Sequence, residues 1–237
     1  MQATKIEAIL PPPPPCVLIY TFTRPISFPF CTLDPHIDEW SRLAHQTSPV
    51  LMKSWPLNKL LSNSKNKPPI VIDYQARLGY FSFQSASLGA TVYALEKSLP
   101  LFQLMKISLQ LNNNQKNHFN ISIIHQHQKY HRTCTDLMNT SATTQIIDIL
   151  RINAINLYQN CFIKLKNGHI KYIFLDFTPS DLDEPIKFLK KLSKTFNIFE
   201  DEHANEGAIE EKFFASLIKG IGNTTRTLFL AHNMMMR

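Results

Sequence analysis

The chain has 237 residues, 44% of them hydrophobic and 18% charged, which is enough apolar mass for a buried core and excludes a disordered polymer. Six glycines are too few for a repeat architecture or a Gly-rich phosphate loop. No apolar run approaches the roughly 18–20 residues that span a bilayer, so no membrane partner is expected.

The net charge of +7 is concentrated in residues 66–175, where 11 Lys/Arg face 4 Asp/Glu. Those cations are scattered, without a tight cluster or interleaved aromatics, and predict a solvated basic surface rather than a nucleic-acid interface. Cys16, Cys31, Cys134 and Cys161 are widely spaced with no C-x-x-C pair. That spacing predicts small buried thiols in a reducing compartment rather than a zinc site or a disulfide framework. An intracellular soluble protein is expected, since the short apolar run after the prolines does not read as a secretory signal. The sequons at Asn120, Asn139 and Asn223 are what chance supplies in a chain rich in Asn, Ser and Thr.

Residues 1–67 read as an N-terminal extension. Both tryptophans lie in it, and ten of the fifteen prolines. Prolines 11–15 predict a polyproline II stretch, either a spacer or a contact for a proline-reading protein partner. Asp34-Pro35, followed by Asp38 and Glu39, is a helix start whose inner face would be Ile37, Trp40 and Leu43 or Ala44. Leu57, Leu60 and Leu61 suggest another short helix.

Residues 68–237 alternate strand and helix. Apolar, β-branched runs at 70–73, 91–95, 119–124, 147–152, 171–177, 196–199 and 226–231 predict seven strands. Helices are expected after Ser98 (Leu101, Leu104, Met105, Ser108 and Leu111 inward), after Glu184-Pro185 (Ile186, Leu189, and Leu192 or Ser193 inward), and over 208–219 (Phe213, Phe214 and Leu217 inward). The predicted fold is α/β: a Rossmann-like, mostly parallel sheet with helices on both faces and an antiparallel edge. Such a sheet binds ligands at the carboxyl ends of its first strands, where strand order reverses.

The first strand–turn–helix reads Ile70-Val-Ile-Asp73-Tyr-Gln75-Ala76-Arg-Leu-Gly79-Tyr80-Phe81. A tight turn before a helix lets backbone N–H groups approach a ligand. Glu96 ends the next strand, in the position from which a carboxylate accepts the hydroxyls of a ribose. His125, His127 and His131 lack a carboxylate or Cys at ligand spacing and are expected to be a surface cluster.

The stretch VIDYQARLGYFSFQSASLGATVYALEKSLPLFQLMKISLQLNNN resembles the cofactor half of the FkbM-type S-adenosylmethionine-dependent methyltransferases. That family reads approximately D-x-G-A-N-x-G-x-F, then G-A-x-V-x-A-x-E, then a helix ending L-N-N. Asp73, Ala76, Gly79, Tyr80, Phe81, Gly89, Ala90, Val92, Ala94, Glu96, Asn112 and Asn113 match it. Residues 147–158 are similar to the family's I-D-x-L-K-I-D-V-E-G-x-E, and residues 173–177 to its next strand, so the likeness spans about 68–232. It implies S-adenosylmethionine as cofactor, held near Asp73, Gln75, Ala76, Gly79, Tyr80, Phe81, Glu96, Lys97 and Asn112. It also implies O-methylation of a small molecule or glycan positioned by Asn153 and Asn156.

The departures are concentrated. Gln75 replaces the family's first glycine, and Asn153, Ile155, Asn156 and Tyr158 replace an Asp, a Glu, a Gly and a second Glu. Asn takes no proton, so these losses also fit a catalytically inactive binding or assembly module of the same fold.

Overall fold

The computed structural model describes residues 14–20, 27–36, 41–42, 57–61, 67–115, 118–126, 146–153, 170–200 and 207–235. In the extension they contain strands β1 (Cys16–Tyr20) and β2 (Ser27–Cys31) and helix α1 (Leu57–Leu61). Then follow β3 (Ile70–Tyr74), α2 (Tyr80–Ser87), β4 (Thr91–Glu96), α3 (Leu99–Asn114), β5 (Ile121–His125) and β6 (Ile147–Ile152). The chain continues through β7 (Ile170–Phe177), α4 (Pro185–Ser193), β8 (Phe196–Phe199), α5 (Phe214–Ile221) and β9 (Arg226–His232).

Seven strands form one sheet in the order β5-β4-β3-β6-β7-β9-β8. The pairs from β5 to β7 are parallel, and β9 runs antiparallel to both β7 and β8. The chain moves outward from β3 to β5 and then returns to the other side of β3, so strand order reverses between β3 and β6. Every residue of β6 is buried, as expected of a central strand covered on both faces.

One face carries α2, α3 and the Phe81, Phe174 and Phe229 rings; the other carries Leu150, Ile173 and Leu230 under Leu189 and Phe214. A charged residue in such a strand needs an internal partner. Asp148 accepts the Ile70 N–H at 2.8 Å and pairs with Lys171.

Several sequence expectations need correction. Cys16 and Cys31 are not thiols: they sit opposite each other in the antiparallel β1–β2 pair and form a disulfide. Prolines 25 and 29 disguise the hairpin, because proline inside an apolar run argues against a strand except at an edge. Cys134 and Cys161 lie outside the described residues, as do Asn139, prolines 11–13 and the Ile37–Trp40–Leu43 face. At Asp34 the side chain accepts the His36 N–H at 2.9 Å and closes a turn.

The expected inward stripes also shift. Ile186 is 40% and Phe213 50% exposed, while Leu189, Leu192, Phe214 and Leu217 are buried. Ile186 falls in the first turn of α4, directly after Pro185, where the helix end leaves it exposed, and Phe213 falls in a separate 3-10 turn, Glu211–Phe213, outside α5. Ser98 precedes α3, but its hydroxyl makes no cap bond.

The extension is docked through β2. Phe28 and Phe30 are fully buried, stacked on or edged against Phe83, with Phe119 and Tyr80 around them. Burying two such rings contributes roughly 1.5–3 kcal/mol each. Polar bonds fix the register: Ser108 Oγ accepts the Cys31 N–H at 2.8 Å, and Asn112 Nδ2 donates to the Pro29 carbonyl at 2.9 Å.

Candidate functional site at the carboxyl rim of the sheet

After β3 the chain turns sharply. Gln75 and Arg77 both have φ of +55° and Gly79 has φ of +81°. Each non-glycine residue in this left-handed region costs on the order of 1–2 kcal/mol, so the loop needs compensating bonds. Ala76 N–H donates to the Leu95 carbonyl at 2.8 Å, extending the β3–β4 ladder by one step. Gly79 N–H donates to the Ala76 carbonyl at 2.8 Å, and the Gly79 carbonyl accepts the Phe83 N–H at 2.9 Å, starting α2. A Cβ on Gly79 would stand 2.6 Å from Met105 Cε. Glycine is therefore favoured there for its φ, and a Cβ would also push aside the flexible end of Met105.

Glu96 closes the loop from the neighbouring strand. Its Oε2 accepts the Arg77 N–H and its Oε1 the Ser98 N–H, both at 2.7 Å. Burial pushes its carboxyl above the usual range, opposed by those N–H donors from Ser98 and Arg77. The Lys97 N–H lowers it in the same sense; a carboxylate offers about four acceptor positions, so about one remains for a ligand's hydroxyl.

Asp73 faces inward. It is fully buried, its Oδ2 accepts the Ser82 hydroxyl at 2.7 Å, and it anchors the first turn of α2. Burial raises its pKa; the Arg151 guanidinium and the Ser82 hydroxyl pull the other way. Arg151, next to Asp73 in the β3–β6 register, lies 3.8 Å from Asp73 and 3.5 Å from Asp176, with its guanidinium 5.3 Å over the Phe81 ring. Asp176 in turn accepts the Thr227 hydroxyl at 2.6 Å. A charge ladder thus runs beneath the rim across β3, β6, β7 and β9.

The rim itself is lined with amides. Asn153, just past β6, donates its N–H to the Tyr74 carbonyl at 3.2 Å and its Nδ2 to the Gln75 carbonyl at 3.3 Å. Gln126, just past β5, donates Nε2 to the Tyr74 hydroxyl at 2.7 Å. Lys97 is exposed beside them, and its carbonyl lies 3.2 Å from His125 Nε2.

Gln75, Ala76, Gly79, Glu96 and Asn153 therefore meet around the loop after β3, while Asp73 lies buried beneath it and Lys97 is exposed next to Glu96. Tyr80 and Phe81 turn instead into the core, against Phe30 and Phe174. Asn112 stands apart: α3 leaves the rim after Ser98, and thirteen residues of 1.5 Å rise carry Asn112 about 20 Å away, where it is buried and bonded to Pro29 and Ser108. Asn156, His127 and His131 lie outside the described residues. Sequence reasoning missed Ser82, Gln126, Arg151 and Asp176. The signal for the last two was present: single charges inside otherwise apolar strands. Among the described residues no group of three or more His, Cys, Asp or Glu is placed to hold a metal ion, and no helix is long and apolar enough to cross a membrane.

No protein-family model and no curated protein matches the chain. Among solved structures, 371 chains do. A TehB-like SAM-dependent methyltransferase from Corynebacterium glutamicum superposes with TM-score 0.51 at 10% identity, over 84% of this chain and 96% of its own.

The fold is that of the Rossmann-like methyltransferases.

The human methyltransferase 10 domain containing protein is similar over 84% of this chain and 96% of its own, at 14% identity and TM-score 0.47. The METTL16 MTase domain aligns with 74% of this chain at 13% identity and TM-score 0.49, and this chain spans 64% of it. Of WbdD, similar at 12% identity and TM-score 0.47 over 75% of this chain, it spans 38%.

Proposed function

We infer that this methyltransferase-like domain binds S-adenosylmethionine at the β3–β6 switch point and methylates an oxygen of a small molecule or glycan, as an FkbM-type enzyme. The observation that supports this best is the pairing of Glu96 with the left-handed Gln75–Gly79 loop: an anion at the tip of β4, beside the turn that opens α2.

The donor set suits the group. Glu96 would take a ribose hydroxyl on its remaining acceptor position, and the Asn153 amide, by holding the Gln75 carbonyl, keeps the loop in its left-handed form. When bound, S-adenosylmethionine supplies a methyl group on a sulfonium. Asn153, with Asn156 from the segment that follows it in sequence, would orient the acceptor oxygen toward that methyl, the hydroxyl proton passing to water, since alignment of this kind can lower a barrier without a general base. Titration calorimetry with S-adenosylmethionine and its demethylated product tests the binding step. Micromolar binding by the wild type, lost in Glu96→Ala, is expected; absence of heat with both ligands removes the proposal.

A second reading is a non-catalytic binding or assembly module, with the Pro-rich segment as its contact to a protein partner. It is favoured by Asn153, Ile155, Asn156 and Tyr158 standing where the FkbM pattern carries three carboxylates and a glycine. Methyl label passing from S-adenosylmethionine to any acceptor in an extract would exclude it.

A further inference from the structure

We propose that Asn223 is an acceptor for an N-linked glycan. Two independent features meet here. The first is the Cys16–Cys31 disulfide; structural disulfides form and persist in oxidising compartments such as the lumen of the secretory route, where N-glycans are also added. In such a compartment a sequon can be used, whatever composition supplied it.

The second is the placement of Asn223-Thr224-Thr225. Asn223 is exposed in the turn between α5 and β9. That turn is held by main-chain and hydroxyl bonds which leave the amide alone: Gly222 N–H to the Ile218 carbonyl at 2.9 Å, Thr224 N–H to the Ile221 carbonyl at 3.1 Å, and Thr224 Oγ1 to the same carbonyl at 2.7 Å. Among the described residues no hydrogen bond engages the Asn223 side chain. A glycan there projects into solvent without breaking a contact. Asn120 is a poorer site, because its Nδ2 donates to Thr91 Oγ1 at 2.9 Å. The Thr225 hydroxyl, 2.6 Å from that of Thr178 in the folded chain, is free while the chain is still extended, when an acceptor segment is read.

The donor is a polyisoprenyl diphosphate-linked oligosaccharide. The bond from its anomeric carbon to a phosphate oxygen breaks with its electron pair, and the diphosphate leaves. The Asn223 Nδ2–C1 bond forms, and the amide gives up one proton to the base of the transferring enzyme. Because Arg226 at the start of β9 pairs with Phe177 at the end of β7, the glycan stands on the same rim as the Gln75–Gly79 loop, with β7 and β6 between them.

The test is peptide mapping of the full chain isolated from the cells that make it, digested without reduction. Cys16 and Cys31 should be recovered in one linked fragment, and the Asn223 peptide should carry hexosamine-containing mass that peptide N-glycosidase removes, leaving Asp. Asn223→Gln should abolish that mass, and Thr225→Ser, which keeps the sequon, should retain it. A bare Asn223 in a chain with the disulfide intact overturns the proposal. So do free thiols at Cys16 and Cys31 together with a bare Asn223. None of these readouts depends on cofactor binding or methyl transfer.

Discussion

The Glu96 carboxylate at the tip of β4 accepts the main-chain N–H of Arg77, 19 positions earlier in the chain, at 2.7 Å. One side chain thereby holds a loop with two non-glycine residues at positive φ and presents an anion at the point where strand order reverses. Its structural role is thus on view, and the proposed ligand-binding role would be superimposed on it. Glu96→Gln has a single acceptor oxygen and cannot hold both N–H groups. Loss of one charge-assisted hydrogen bond is expected to lower stability by about 1.5–3 kcal/mol, read from denaturant midpoints. In calorimetry, S-adenosylmethionine should bind at least about tenfold more weakly, or about 1.4 kcal/mol; wild-type affinity in a folded variant would sink the assigned role.

Asp73 and Glu96 also set a pH dependence. Burial raises both pKa values above their ordinary 3.8 and 4.5. Between the ordinary and the raised values the folded chain holds more protons than the unfolded one, so stability falls as pH rises through that window. Below about 4.5 the Glu96 contribution is fully present. Thermal midpoints measured from pH 7 down to 4.5 should show this pair opposing ordinary acid destabilisation, by at most about 1.4 kcal/mol per pH unit per proton. In Glu96→Gln the opposing slope should shrink.

Gly79→Ala is expected to destabilise through two separable effects. Positive φ costs about 1–2 kcal/mol for a residue with a Cβ, and the 2.6 Å approach to the flexible end of Met105 adds a smaller steric part. Pairing it with Met105→Ala should recover the steric part and leave the backbone part. A double-mutant cycle with no coupling would contradict the contact.

Arg151→Met removes the counter-charge to a fully buried Asp73. Breaking a buried pair costs about 3–5 kcal/mol, and the loss should be larger at pH 7 than in acid, where a protonated Asp73 needs no partner. Equal losses at both pH values would show that packing against Phe81 dominates.

Cys31→Ser should lower stability by about 3 kcal/mol, the loop-entropy scale for a bridge closing a loop of about 15 residues. Reductant should do the same to the wild type and nothing further to the variant. Because Phe28 and Phe30 carry the hairpin into the core, dye binding to apolar surface should rise on reduction; no rise would mean that burial alone docks the hairpin.

Most of the sheet was legible from local pattern. β-branched runs bounded by turn residues mark β3 to β9 within a few positions, because the central strands β3 and β6 are buried on both faces, while the edge strand β5 is partly open. Motif spacing brought Asp73, Gly79 and Glu96 to one turn for the same reason: the strands pair in register, and the linking helix is short.

Direction and distance were not local. Matching a motif did not show that Phe81 and Tyr80 turn inward or that thirteen residues of α3 carry Asn112 about 20 Å from the rim, since both depend on what packs on the helix. Nor did sequence reveal the bridge between Cys16 and Cys31. Prolines hid the hairpin, and two cysteines become partners only when a turn brings their strands into register. Composition and periodicity by themselves determined a parallel sheet with a loop and an acid at its carboxyl rim, since burial demands repeating apolar patterns that a short window contains. Only the tertiary structure decided which N–H groups Glu96 accepts and which charges Arg151 balances, because those depend on distances between strands far apart in the chain.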